Sequence, residues 1–292
     1  MALFLLSFVI SYTWHMLGVT VGYHRLISHR SFKCPKLVEY FFVLGGYLAF
    51  EGSPIWWAAI HRAHHRYEET ELDPHSPRFG IFRAFVGWTF EGKYADHIQP
   101  DSQCRDLTSD KLYAFFEQGG SWERAHLVNF AIGVIFRLTL WMLFGLPVAL
   151  GSTAAGLISM AVPLLLNVVC HIPKLGYRNF QTNEDSVNVW WMGLLAMGEG
   201  WHNNHHKYPG SARMGMTPFE LDVSWLTICF LKRLGLIGWV NDPGTLAYIR
   251  ESEASHATIR TPVPGSSRSA HRRDALETAS SVHSTELASK KA

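Results

Sequence analysis

The chain has 292 residues, 48% hydrophobic and 17% charged, and its apolar residues come in long blocks, which argues against an ordinary soluble core and for a membrane protein. A formal net charge of +2 is too small to argue for nucleic acid, and Cys34, Cys104, Cys170 and Cys229 form no CxxC, so neither a disulfide framework nor a thiolate metal site is expected. Histidine is the unusual residue, with 16 in the chain.

Residues 1–23 are apolar and uncharged, and a membrane span is expected over about 1–22. A basic leader and a small-residue cleavage site are both missing, which disfavours a signal peptide. "HRLISH" follows, with His24 and His29 five positions apart, about 140° around an α-helix. They converge only if the helix ends there or the bound ions are spread out. "LVEYFFVLGGYLAF" (37–50) is apolar but short. "HRAHH" then places His61, His64 and His65 at i, i+3 and i+4, on one helical face.

Residues 126–171 are long enough for two spans, about 126–145 and 148–170, with a turn at Gly145-Leu146-Pro147. Arg137, inside the first arm, is expected to face the bundle or snorkel. Asn167 and His171 share a face at the end of the second arm. "HNNHH" repeats the earlier spacing with His202, His205 and His206. Glu199, three residues before His202, is expected to support a ligand from behind. Lone histidines His15, His75, His97 and His126 read as ordinary core or interface residues. The Ser/Thr/Ala-rich segment 250–292 reads as a disordered tail with solvated His256, His271 and His283.

Three histidine clusters in one chain point to metal. Neutral imidazoles suit iron, zinc or copper. Zinc with four ligands does not need eight histidines, whereas two ions do, and oxidative chemistry in a membrane favours iron. The Asn167–His171 pair is a further candidate. ExxH occurs at Glu123/His126, Glu199/His202 and Glu253/His256, but the soluble carboxylate di-iron pattern needs more than this. There is no HExxH protease motif. A metal site cannot be divided by a bilayer, so 37–50 is expected to be an interfacial helix or re-entrant dip. Arg25, Arg30, Lys33, Lys36, Arg62 and Arg66 place the clusters on the cytoplasmic side. With three spans, the N-terminus then falls outside, and a further crossing ahead of residue 1 is expected.

"GYHRLISHRSF", "IHRAHHRYEETELDPHSP", "NVVCH" and "GEGWHNNHHKYP" resemble the histidine boxes of the membrane fatty-acid desaturases, over roughly residues 5–240. The nearest branch is the delta-9 type related to stearoyl-CoA desaturase. The expected fold is an all-α integral membrane protein whose transmembrane helices carry a cytosolic helical cap with a histidine-rich di-iron site. The resemblance implies two irons held by His24, His29, His61, His64, His65, His171, His202, His205 and His206, with Asn167 acting through water. It also implies that Trp57 lines the acyl tunnel.

The implied reaction is O2-dependent formation of a cis double bond, delta-9, in a saturated acyl chain. The substrate is carried as acyl-CoA, acyl-lipid or acyl carrier protein. At the position where animal acyl-CoA enzymes place a basic residue for CoA, this chain has Ala59, which weakens the acyl-CoA reading. No flavin, haem or iron–sulfur motif is present. An external donor such as ferredoxin, rubredoxin or cytochrome b5 is therefore implied. The expected location is a bacterial inner membrane. The alternatives are an acyl-chain hydroxylase on the same scaffold and a membrane metal carrier.

Overall fold

Three helices are long and apolar enough to cross a membrane in the computed structural model, which describes residues 1–243. The tail expected at 250–292 lies outside the described residues. Among those residues the regular structure is helical, with only isolated β-bridges. The protein is an all-α membrane protein.

The first long helix is α1 (Ala2–Leu17), which continues without a break as π-helical turns over Gly18–Ser28. The sequence placed its end near residue 22, where charge begins. The helix runs on because Arg25 is not solvated: it is fully buried and paired with Glu199 and Asp222. Helix α2 (Lys36–Tyr47) packs on these π turns. A Cβ on Gly18 would overlap the α2 backbone at Gly45 and Gly46, so the two helices meet main chain to main chain. Twelve residues in α2 cover about 18 Å, well short of the roughly 30 Å of a hydrocarbon core.

Helix α3 (Pro54–Tyr67) starts at Ser53, whose Oγ accepts from the amides of Ile55 and Trp56, with Pro54 in the first turn. Ala58, Ala59 and Ala63 are buried in the core, which leaves the other face for aromatic and histidine side chains. Short helices follow between residues 77 and 120.

Helices α4 (Trp122–Phe144) and α5 (Leu146–Val169) form a hairpin turned at Gly145, whose φ is 87°. Helix α5 lies against α1, where Ser7 Oγ donates to the Val148 carbonyl at 2.7 Å. Large apolar side chains such as Leu6, Ile10, Phe130, Leu138 and Met142 are exposed on the outer surfaces, as a lipid-facing wall requires. The described chain closes with α6 (Trp190–Leu195), α7 (His202–Lys207) and α8 (Val223–Arg233).

Arg137 faces the bundle, as one of the two expectations had it. Its Nη2 donates to the Leu48 carbonyl at 2.7 Å, just past the end of α2, and its guanidinium sits 4.4 Å from the Phe50 ring centroid. The charge thus supplies a donor to a buried helix end. Arg137→Met is expected to lower stability in detergent by about 1–3 kcal/mol through the unpaired buried carbonyl. A thermal midpoint equal to that of the unchanged protein would refute this role.

Candidate metal centre

The π-helical turns answer the spacing problem at the first cluster. Their bonds run from residue i to i+5, so residues five apart stack, and the His29 amide donates to the His24 carbonyl at 3.1 Å. The helix ends at Ser28 with His29 capping it, as one of the two expectations had it, and the two imidazoles meet: His29 Nε2 lies 3.2 Å from His24 Nε2. On α3, Trp57, His61, His64 and His65 share one face. On α7, His202, His205 and His206 are all buried.

The structure brings all nine predicted histidines together, but in two sets. One comprises His24, His29, His61, His65 and His205; the other His64, His171, His202 and His206. Within each set the potential ligand atoms lie within 4.8 Å of one another. Each HxxHH motif was expected to aim three imidazoles one way, and instead each divides. In both motifs the i and i+4 histidines enter one set and the i+3 histidine crosses to the other. His64 thus leaves α3 for the set dominated by α7, and His205 leaves α7 for the set dominated by α3. The i+3 position sits on the opposite side of the i/i+4 row, so a helix wedged between two ions reaches both.

Carboxylates stand behind the rings. Glu199 bonds His24 Nδ1, Asp73 lies 3.0 Å from His64 Nδ1, and Glu68 lies 3.0 Å from His65 Nδ1. Glu68 also stands 3.1 Å from His206 Nδ1, and Glu69 stands 3.8 Å from His171 Nδ1. A neutral imidazole carries one proton. Where Nδ1–H donates to a carboxylate, Nε2 is a bare lone pair. Yet the Nε2 atoms point at one another: His24 to His205 at 3.1 Å, His65 to His61 at 3.1 Å, His65 to His205 at 2.8 Å. The buried Nε2 of His64 has no hydrogen-bond partner at all. One proton per ring cannot satisfy so many converging nitrogens, and a cation between them would, so the donor set fits metal.

Protonation does not compete at six of the nine rings, whereas at His64 burial is outweighed by the Asp73 carboxylate, which raises that ring above the ordinary histidine value. Burial, and then the neighbouring imidazoles, hold His29, His61, His202, His205 and His206 well below the ordinary histidine range. Burial brings His65 to about 4, against the opposing pull of Glu68. Glu199 is also buried, which alone would raise its carboxyl; His24 and Arg25 hold it below its usual value.

The supporting shell is wider than the sequence reading named. Glu199 was singled out, and the structure sets its carboxylate between His24 and the buried Arg25. Glu68, Glu69 and Asp73 were missed, although the acidic run "EETELD" directly after the second cluster was the available signal. The two asparagines of "HNNHH" were also missed. Asn188 Oδ1 accepts from the amides of Asn203 and Asn204 at 3.0 and 3.3 Å and so caps α7 from a distance. Asn204 Nδ2 in turn donates to Glu220 and the Met214 carbonyl.

Two cavities meet the histidines. The larger, about 340 Å³, is lined by Phe50, Trp57, Ile60, His61, Trp88 and Leu164 among others. The smaller, about 40 Å³, reaches His24, His61, His64 and His202. Trp57, His61, Pro163 and Asn167 belong to both walls. Trp57 stacks on His61 with ring centroids 5.0 Å apart, and its indole N–H donates to Glu51 Oε2 at 3.1 Å. Burial pushes the Glu51 carboxyl up to about 8, so it is neutral near pH 7 and leaves the cavity uncharged. His126 lines the larger cavity, and His75 lies against both it and His64, with ring centroids 4.4 Å apart. His15 bonds the Gly45 carbonyl and His97 the Leu72 carbonyl, away from both sets.

The profile of the fatty acid desaturase family matches residues 1–219. Delta-9 acyl-lipid desaturase 1 of Arabidopsis thaliana is 36% identical over 230 residues, 78% of this chain and 72% of that protein. The acyl-CoA C20 Delta5-desaturase of Anemone leveillei is 36% identical over 232 residues, 78% of this chain and 70% of its own length. The sn-1 stearoyl-lipid 9-desaturase of Synechocystis sp. is 38% identical over 221 residues, 75% of this chain and 66% of its own.

Proposed function

The chain belongs to the fatty acid desaturase family, and from that premise we propose that it is an O2-dependent desaturase placing a cis double bond, delta-9, in a saturated acyl chain. Membership makes it a membrane oxidoreductase of lipid metabolism. The observation that carries the finer reading is the division of nine histidines into adjoining sets of five and four. We assign one iron to each set, with Asn167 completing the four-histidine set through a water. Bound iron supplies the O2 activation needed to take hydrogen from an unactivated methylene.

The protein's own residues do the rest. Glu68, Asp73 and Glu199 hold rings in the tautomer that presents Nε2. The larger cavity takes the acyl chain, with Trp57 and His61 where it meets the smaller one. Its apolar lining and the neutral Glu51 exclude charge, so a methylene pair is held beside the histidines in a dry site.

A membrane lipid is the favoured carrier. Ala59 is buried and offers no charge to CoA, and two of the three relatives above are named for lipid-bound substrates. Electrons come from an external carrier of the ferredoxin, rubredoxin or cytochrome b5 kind. All the histidine clusters share one face, with the short α2 lying at the interface. The cations flanking the first two clusters put that face in the cytoplasm, in a bacterial inner membrane.

Expression in a host without desaturase activity, followed by mass spectrometry with double-bond location, tests the reading. Monounsaturated chains with one new double bond at carbon 9 are expected. A hydroxylated product would transfer the site to the hydroxylase alternative, and unchanged lipids would refute both.

Trp57→Ala tests the cavity assignment separately. It widens the wall beside His61 without removing a ligand. Iron content is expected to stay close to that of the unchanged protein, while activity falls or the double bond spreads over more than one position. An unchanged rate with a single product would remove Trp57 from the substrate path.

A further inference from the structure

Each of the three histidine boxes ends on a cation: His29 is followed by Arg30, His65 by Arg66 and His206 by Lys207. All three cations are exposed. Asp106 stands 3.8 Å from Arg30, but the Arg62 guanidinium already grips that carboxylate with two bonds of 2.7 and 2.9 Å. No ion pair among the described residues engages Arg66 or Lys207. Arg66 lies one turn beyond Arg62 on α3. Arg62 reaches the Ile27 and Ser28 carbonyls, so that face of α3 fronts the segment carrying Arg30.

The two histidine sets differ in exposure. All members of the four-histidine set are buried, whereas His29, His61 and His65 of the five-histidine set are only partly so. His29 and His65 line neither cavity that meets the histidines, so their open edge faces outside solvent rather than substrate. His65 also touches the four-histidine set, with its ring 4.7 Å from that of His206. Arg30 and Arg66 thus directly follow the two partly exposed histidines His29 and His65, and Lys207 follows His206, the ring that His65 touches.

Resting on the desaturase reading above, we propose that Arg30, Arg66 and Lys207 form the docking rim for an acidic, one-electron carrier protein. Each turnover takes two hydrogens from the acyl chain, reduces one O2 to two waters, and consumes two protons and two electrons from outside. Two reduced carriers are oxidised in supplying those electrons. Exposed cations beside the partly exposed histidines attract an acidic partner, orient it, and bring its redox group close to the centre.

The test uses the iron-loaded full chain in phosphatidylcholine nanodiscs, with a reduced [2Fe–2S] ferredoxin as probe and a neutral small-molecule mediator recycled by dithionite as the alternative reductant. The combined variant Arg30→Gln/Arg66→Gln/Lys207→Gln is expected to lose about tenfold or more in the second-order rate of ferredoxin oxidation at low ionic strength. Its rate with the mediator should stay unchanged. Arg30→Lys/Arg66→Lys/Lys207→Arg, which keeps every charge, should restore the ferredoxin rate.

Equal ferredoxin rates in the unchanged and neutralised proteins, with the mediator working in both, would overturn the docking rim and leave the desaturase reading standing. A defect seen only when phosphatidylglycerol is added to the nanodisc would assign the cations to the lipid surface and overturn the proposal. No product from the unchanged protein with either reductant would overturn the desaturase reading itself.

Discussion

His64→Ala is expected to abolish desaturation while leaving much of the other iron in place. His64 is the only contribution of α3 to the four-histidine set, which then keeps only His171, His202 and His206. His61→Ala leaves four histidines in the five-histidine set, so a metal there retains more ligands. The expected result is an asymmetry. Iron in His64→Ala falls from about two towards about one per chain, and activity drops roughly a hundredfold or more, since even outer-shell losses cost up to that much. His61→Ala loses less iron. Metal analysis on protein purified from the same membranes, with activity measured alongside, decides the matter. If His64→Ala kept both irons, His64 would not belong to the buried set.

The second large effect is expected at Glu199→Gln. The carboxylate accepts from His24 Nδ1 and from the Arg25 guanidinium, and all three side chains are buried. Glutamine keeps the shape but removes the charge. The amide leaves one acceptor oxygen for two donors, so either His24 loses the acceptor that fixes its tautomer or Arg25 is left with Asp222 and the Ala212 carbonyl. Iron at the five-histidine set should bind roughly 10–100-fold more weakly, read by competition with a chelator. The fold should loosen as well, because half of a buried ion pair is left with less compensation. Glu199→Asp, which keeps the charge on a shorter arm, should fall between the two. Chelator curves that superimpose for the glutamine variant and the unchanged protein would make Glu199 a bystander.

Both effects were only partly legible in the sequence. The histidine identities were readable because metal ligation needs several imidazoles at helical spacing, and "HRAHH" and "HNNHH" display that spacing openly. Their division between two sets was not, because spacing gives a direction on one helix and says nothing of what lies on either side of it. His24 and His29 looked badly placed on an α-helix; the π-helical turns that align them depend on packing against α2, a tertiary effect. The burial of Arg25 was hidden for the same reason. A charge at the end of an apolar run reads as an exit from the membrane until its partners, Glu199 and Asp222, more than 170 residues away, are seen beside it.

The three membrane spans were readable from long apolar blocks, and the all-α fold with its helical cap came from the resemblance to the desaturases. For Arg137, sequence left two outcomes open, and the carbonyl at Leu48 explains why the buried one prevails. The acidic run after the second cluster was visible but unassigned, since carboxylates near histidines are more often a solvated surface. Only geometry distinguishes Asp73 and Glu68, which bond ring nitrogens, from Glu71, which is exposed.

The central claim is that the two histidine sets hold two irons through imidazole nitrogen. X-ray absorption at the iron edge, combined with metal analysis of the purified full chain, tests it most directly. The account predicts about two irons per chain, a first shell of nitrogen and oxygen near the roughly 2.0–2.2 Å usual for such ligands, and the outer-shell pattern of several imidazole rings. A single iron, zinc in place of iron, or a shell dominated by carboxylate oxygen would contradict it.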